Sequence, residues 1–223
     1  MIKEAVDELY NEFPYSYSIN YSDKFKPYRA NVKLMRDNIE FNLSKKWKTV
    51  SEDIQIGLVQ ELLLKILRNR LKPVRTNTQN IELYNIFMRK IHSVVPKVDI
   101  NPTLEESFDR VNERYFYGLL EKTNLKWGNH SLSKLGSYEY GTDTILISRI
   151  LQDDTELLDY VMYHEMLHKK HKFYSKNGRS YHHTAEFRRK EREFENSNLM
   201  EKRLRKFLVR KQFSFRNILR EVF

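Results

Sequence analysis

Residues 163–187, YHEMLHKKHKFYSKNGRSYHHTAEF, hold five of the chain's seven histidines. Within them His164-Glu165-Met166-Leu167-His168 forms an HExxH pattern, with apolar Leu158, Val161, Met162, Met166 and Leu167 packing the flanks of a predicted helix. One helical turn separates His164 from His168, so both imidazoles leave the same face and can meet one ion. Glu165 lies beside the first of them and can reach a metal-bound water rather than the metal. Zinc suits such a set, because it is redox-inert and takes three protein ligands plus a water whose pKa falls to about 7. Glu165 is then the expected base, taking the water's proton during attack on a carbonyl and passing it to the leaving amine.

The third ligand is less directly written. An HExxHxxGxxH site needs Gly at 171 and His at 174, where this chain has His171 and Tyr174, so that class is excluded. Glu186, Glu191 and Glu193 on the following helix are available. His183 is better placed, since it precedes Thr184, which can cap a helix, and Phe187, which can pack beneath it. His182 could exchange with it. His171, among Lys169, Lys170 and Lys172, reads as solvated, and His92 and His130 read as isolated surface or partly packed residues. Tyr163, Tyr174, Arg179 and Tyr181 could each polarise a substrate carbonyl, and their spacing selects none of them.

Outward from this stretch, the preceding segment GSYEYGTDTILIS reads as a hairpin turning at Gly141-Thr142-Asp143, and TLEESFDRVNERYFYGLLEK as a helix over 103–122 with a Thr-x-x-Glu capping box. The active-site helix begins near Asp154-Thr155, and a last helix near Thr184. The first hundred residues repeat that order. A hairpin spans 29–44 around Arg36-Asp37-Asn38. A helix runs from Ser51 to Pro73, with Ile54, Leu58, Leu62 and Ile66 at helical spacing, and another from about Asn80 to Val94.

A fixed shift of 104 residues pairs Ser44 with Ser148, Glu52 with Glu156, Glu61 with Glu165, Leu63 with Leu167, Lys65 with Lys169, Arg75 with Arg179 and Glu82 with Glu186. Under it His164, His168 and His183 meet Gln60, Leu64 and Gln79, so a duplicated first half would have lost its metal ligands. Beyond residue 198 the chain carries eight Lys or Arg against two Glu, and Leu204, Phe207 and Leu208 suggest an amphipathic basic helix. The expected organisation is a helical and hairpin half over 1–100, a metal-binding domain over 101–198 and a basic tail over 199–223.

Forty percent apolar and thirteen percent aromatic residues indicate a folded chain rather than a disordered one. The absence of cysteine excludes disulfides and thiolate zinc sites and fits a reducing cytosol. No window approaches the roughly eighteen apolar residues of a membrane span, and acids occupy the N-terminus where a signal peptide is apolar. A soluble, cytoplasmic protein is expected, nucleoid-associated or nuclear if held on DNA. Forty Lys plus Arg against thirty Asp plus Glu leave +10, which favours polyanionic partners, nucleic acid first and anionic membrane second.

Over about residues 103–196 the ordered set FDRVNERYFYGLL, LKWG, GSYEYGTDTILIS, YHEMLH and HTAEF resembles the SprT-like zinc metallopeptidases, which include the Spartan-related proteases of DNA–protein crosslinks. The resemblance implies an α+β, zincin-like domain whose active-site helix packs on a small antiparallel sheet. It implies His164, His168 and His183 as zinc ligands, Glu165 as the catalytic base, and a DNA-tethered endopeptidase acting in DNA repair on bound or crosslinked proteins. Two departures stand out. Thr184 occupies a place where family members often have Gly, and the zinc ribbon some members carry cannot form without cysteine. Two other readings come from different classes. A zinc hydrolase of small molecules such as nucleotides would need a deep enclosed pocket, and a nucleic-acid-binding module with a structural zinc would need a fourth protein ligand.

Overall fold

A computed structural model describes residues 1–91, 95–171, 175–176, 179–180 and 183–222, with the side chains of 175–176, 179–180 and 213–222 excepted. The chain divides into two compact units, one built mainly on Met1–Val95 and the other mainly on residues from Pro96 onward.

The first unit opens with helix α1 (Ile2–Leu9), which buries Ile2, Ala5, Val6 and Leu9 along one face at i, i+3, i+4 and i+7 spacing. Strands β1 (Ser16–Ser22), β2 (Ala30–Met35) and β3 (Asn38–Ser44) form a sheet of order β1-β3-β2. β3 lies in the middle, parallel to β1 and antiparallel to β2, and its alternate residues Ile39, Phe41 and Leu43 are fully buried. The β2–β3 turn falls at Arg36-Asp37 as the sequence predicts, with Arg36 in the left-handed region at φ 51°. Helix α2 (Glu52–Ile66) packs against α3 (Gln79–Lys90). Gly57 permits their close approach, because a Cβ there would stand 2.0 Å from the Asn80 carbonyl oxygen. α2 stops at Ile66, several residues before Pro73, so the proline is not its terminator.

The second unit repeats the plan. Helix α4 (Pro102–Phe116) leads to β4 (Asn124–Trp127), β5 (Gly136–Glu139) and β6 (Thr144–Ile147), in the order β4-β6-β5. Two expectations are corrected here. The cap of α4 is Asn101, whose side chain accepts from the Leu104 amide with Pro102 at the first helical position, and not Thr103. The helix ends at Phe116 rather than near 122, because Tyr117 (φ 57°) and Gly118 (φ 70°) turn left-handed and the Gly118 amide closes on the Asn112 carbonyl. The sheet, expected to be antiparallel, is mixed. β5 and β6 form the antiparallel hairpin, while β4 runs parallel to β6.

Helix α5 (Thr155–His171) carries the HExxH stretch, followed by the two-residue strands β7 (Ser175–Lys176) and β8 (Arg179–Ser180), which pair antiparallel. Helix α6 (Ala185–Glu191) and the long α7 (Ser197–Val222) complete the chain. The core of this unit gathers Leu104, Phe108 and Val111 from α4, Ile145 and Ile147 from β6, Met162, Met166 and Leu167 from α5, and Phe187 from α6. α7 lays Met200, Leu204, Phe207 and Leu208 on that core.

One buried charge cluster fastens β6 to α5. Asp143, with no exposed side chain, accepts from the Lys169 ammonium at 2.9 and 3.0 Å, from the Tyr138 hydroxyl at 2.6 Å and from Lys97. Burial alone would raise the Asp143 carboxyl, but the Lys97, Tyr138 and Lys169 donors outweigh it and hold it below its ordinary value. Lys169 has one carboxylate against its own desolvation, and burial draws its ammonium below the usual range. Among the described residues no helix is long and apolar enough to cross a membrane.

Candidate metal centre

α5 presents its apolar residues to the core, with Met162, Tyr163, Met166 and Leu167 at most 2% exposed. The remaining stripe turns His164 and His168 outward on successive turns. The Nε2 atoms of the two rings lie 3.3 Å apart. His183 arrives from the residue before the α6 cap, and its Nε2 is also 3.3 Å from that of His164. Ligand atoms of all three histidines lie within 4.8 Å of one another. Tetrahedral zinc with Zn–N near 2.0–2.1 Å sets neighbouring nitrogens about 3.3–3.4 Å apart, the spacing of His164 Nε2 from both His168 and His183.

The third histidine is placed by local chemistry. Thr184 caps α6 by accepting from the Phe187 amide at 3.1 Å, which fixes the chain direction where His183 departs. Phe187 is fully buried, and its ring lies 5.2 Å from His164, 4.7 Å from His168 and 4.9 Å from His183. That apolar backing excludes water from one side of the cluster. At the other nitrogen of His164, Nδ1 stands 2.7 Å from Glu191 Oε1.

Glu165 is 5% exposed, and its Oε2 has no hydrogen-bond partner among the described residues. Its carboxyl packs against the β5 backbone at Gly136, where any Cβ would come within 2.4 Å of Oε1. In the metal-free protein burial pushes the Glu165 carboxyl up to about 7, opposed by His164, Lys134 and the Tyr138 amide. A cleft of about 480 Å³ opens beside His164 and Glu165, walled by Lys134, Gly136, Tyr160, Glu191, Glu201 and Leu204. A buried carboxyl beside three convergent imidazoles is placed to accept and return a proton.

Thus His164, Glu165, His168 and His183 come together as expected from the sequence. His92, Tyr174, Tyr181 and His182 lie outside the described residues, as does the side chain of Arg179. Other expectations are corrected. Tyr163 is a core residue whose hydroxyl donates to the Lys190 carbonyl at 2.5 Å, so it does not face a substrate. His171 is not freely solvated; its ring packs 5.6 Å from Phe187, its Nε2 is buried, and burial lowers its pKa. Lys169 is buried on Asp143 and does not belong to a basic surface. Of the candidate glutamates, Glu193 pairs with Arg189 and Lys190, Glu186 is exposed, and Glu191 sits behind His164 rather than among the ligand atoms.

Sequence reasoning missed Gly136, Tyr160 and the role of Glu191. For Glu191 a signal existed, since Phe187 and Glu191 stand four apart on one face of a short helix, and His183 precedes its cap at the same interval.

Residues 104–206 match the model of the SprT-like family. Among solved structures, the crystal structure of the metallopeptidase zymogen of Methanocaldococcus jannaschii jannalysin matches at 19% sequence identity, covering 49% of this chain and 96% of that one, with a TM-score of 0.37. No curated protein matches the chain.

Proposed function

From the match of residues 104–206 to the SprT-like family model, we propose that the chain is a zinc-dependent endopeptidase acting on proteins bound or crosslinked to DNA. The observation that carries this reading is the convergence of His164, His168 and His183 beside a buried Glu165 with one carboxylate oxygen unpartnered among the described residues. Zinc held by the three imidazoles would supply a Lewis acid and a water acidic enough to lose its proton near neutrality. Glu165 would accept a proton from the attacking water and return it to the leaving amine, a role that suits a carboxyl buried against Gly136 beside the three imidazoles.

A peptide substrate is favoured over a small molecule by the wall of the cleft. β5 stands at one end of the strand order β4-β6-β5, and its Gly136 lines the cleft beside Glu165. An extended peptide lying along that wall would bring a carbonyl beside Glu165. For nucleic acid, α7 turns Lys202, Arg205, Lys206 and Arg210 to solvent while its apolar face is packed on the core. Such a face would hold phosphates with little reading of bases. The first unit is inferred to be a metal-free copy of the second, because the element order, strand order and strand directions agree.

The test is a protein-cleavage assay with and without DNA, alongside metal analysis. Wild type is expected to hold about one zinc per chain and to cleave more when DNA carries the substrate. His164→Ala and His183→Ala should lose the metal. A His183→Ala protein that retains zinc would overturn the ligand assignment, and cleavage indifferent to DNA and to alanine at the exposed Lys202, Arg205, Lys206 and Arg210 would remove the DNA-bound substrate.

A further inference from the structure

Three imidazoles converge on one point only if each presents a lone pair there, and the sequence motif does not say what selects the correct nitrogen. For His164 the structure supplies the selector. Glu191 Oε1 lies 2.7 Å from Nδ1, on the side of the ring away from the other two histidines. An ionised carboxylate can only accept, so Nδ1 carries the hydrogen and Nε2 is left with its lone pair facing His168 and His183.

The carboxylate is held in place from several directions. Glu191 ends the helix that His183 precedes, and Phe187, one turn back, lies against all three imidazole rings. The adjacent Lys190 carbonyl receives the Tyr163 hydroxyl at 2.5 Å, which ties the end of α6 to α5 one residue before His164. Tyr163 is itself wedged among Tyr115, Phe116 and Phe194, with ring centroids 4.8, 5.5 and 5.4 Å away. One short helix therefore carries the apolar backing and an orienting acid, and its N-terminal approach delivers a ligand.

We propose that Glu191 is a positioning residue of the metal centre, which accepts the Nδ1 hydrogen of His164, fixes its tautomer and ring orientation, and strengthens its donation to the metal. The proposal rests on the zinc reading given above. Carboxylates behind metal-binding imidazoles contribute about 10–100-fold to metal affinity, and none of the other acids on α6 occupies this place.

The experiment uses the full chain with Glu191→Ala, Glu191→Gln and Glu191→Asp. In metal-free protein above neutral pH, nitrogen NMR should find His164 protonated at Nδ1 in wild type and shifted towards Nε2 in Glu191→Ala. Zinc affinity, measured by chelator competition, should fall by about 10–100-fold in Glu191→Ala, less in Glu191→Gln, with partial recovery in Glu191→Asp. A folded Glu191→Ala protein that keeps both the wild-type tautomer and the wild-type zinc affinity would overturn the proposal. Should that variant not fold, the near-isosteric Glu191→Gln decides, and unchanged affinity there overturns it equally. If wild type binds no zinc while the tautomer still depends on Glu191, the metal reading fails and the orienting contact stands.

Discussion

The two units share an order of elements and differ where chemistry would happen. In each, a helix precedes three strands, the third strand lies between the other two, and a pair of helices follows. Each unit buries one glutamate at the same place in the first helix of that pair, Glu61 and Glu165, both 5% exposed. Each begins the second helix with a threonine, Thr78 or Thr184, whose hydroxyl accepts from the amide three residues on at 3.1 Å. Those caps correct the fixed shift of 104 at this point. They are 106 apart, so the counterpart of His183 is Asn77 rather than Gln79.

At the corresponding positions of the first unit stands a set of hydrogen bonds. Gln60, at the position of His164, is fully buried, donates to Glu8 Oε2 at 2.7 Å and accepts from the Thr78 hydroxyl at 2.5 Å. Leu64, at the position of His168, is buried in the apolar core. The lesson is that this helix pair can be joined without an ion. In the second unit, therefore, the three histidines beside Glu165 are not required to join the helix pair.

The largest effect should separate the paired glutamates. Glu165→Gln is expected to keep zinc and to lower kcat/KM for protein cleavage by about 10²–10⁴-fold, the usual worth of a general base. Glu61→Gln should leave kcat/KM within twofold. Steady-state kinetics on the two variants with zinc occupancy matched decides it, and a comparable loss in Glu61→Gln would end the contrast between a live and a silent copy.

A second asymmetry is structural. Lys169 is buried on Asp143, whereas Lys65, its counterpart in the first unit, is exposed. Lys169→Met leaves a buried carboxylate short of a partner, which costs about 3–5 kcal/mol when no other group compensates. Lys97 and Tyr138 remain to share the burden, so denaturant unfolding should show the lower end of that range. The pH dependence follows from the sign of the shift. Asp143 is held below its ordinary value, so its contribution is complete above the unfolded carboxylate range near about pH 4 and is lost as pH falls through the folded value. Removing the Lys169 donor raises that folded value, and the acid unfolding midpoint of Lys169→Met should move to higher pH. Lys65→Met should move neither quantity.

How much of this was legible in the sequence depended on range. HExxH, the Thr184 cap and the two hairpin turns are written in neighbouring residues, and all appear where the spacing put them. β1, SYSINYS, alternates Tyr17, Ile19 and Tyr21 with Ser and Asn, but it buries little and holds a single aliphatic residue, so its period is weakly marked. β4 is four residues long and pairs with a strand twenty residues away, so no local period marks it. The Asp143–Lys169 contact joins residues 26 apart, and a lysine in a run of basic residues reads as solvated until its partner is known. Glu191 stood in plain view among the candidate acids, yet its distance to Nδ1 rather than to the ligand atoms could not be read from spacing.

The smallest effect offers the most closely matched comparison, because the two caps have the same residue, acceptor geometry and helix position. Thr78→Ala and Thr184→Ala should each destabilise the chain by about 1 kcal/mol through loss of the cap, measured by urea unfolding of the zinc-free protein. Thr78→Ala should cost somewhat more, since it also removes the donor to the buried Gln60 amide oxygen. Zinc distinguishes them. Thr184 sets the direction from which His183 reaches the cluster, so its loss should weaken zinc binding several-fold on top of the stability change, while Thr78→Ala should bind zinc as wild type does. Equal zinc affinities in the two variants would mean that Phe187 alone positions His183, and would move the distinction between the units from the caps to the residue packed beneath the histidines.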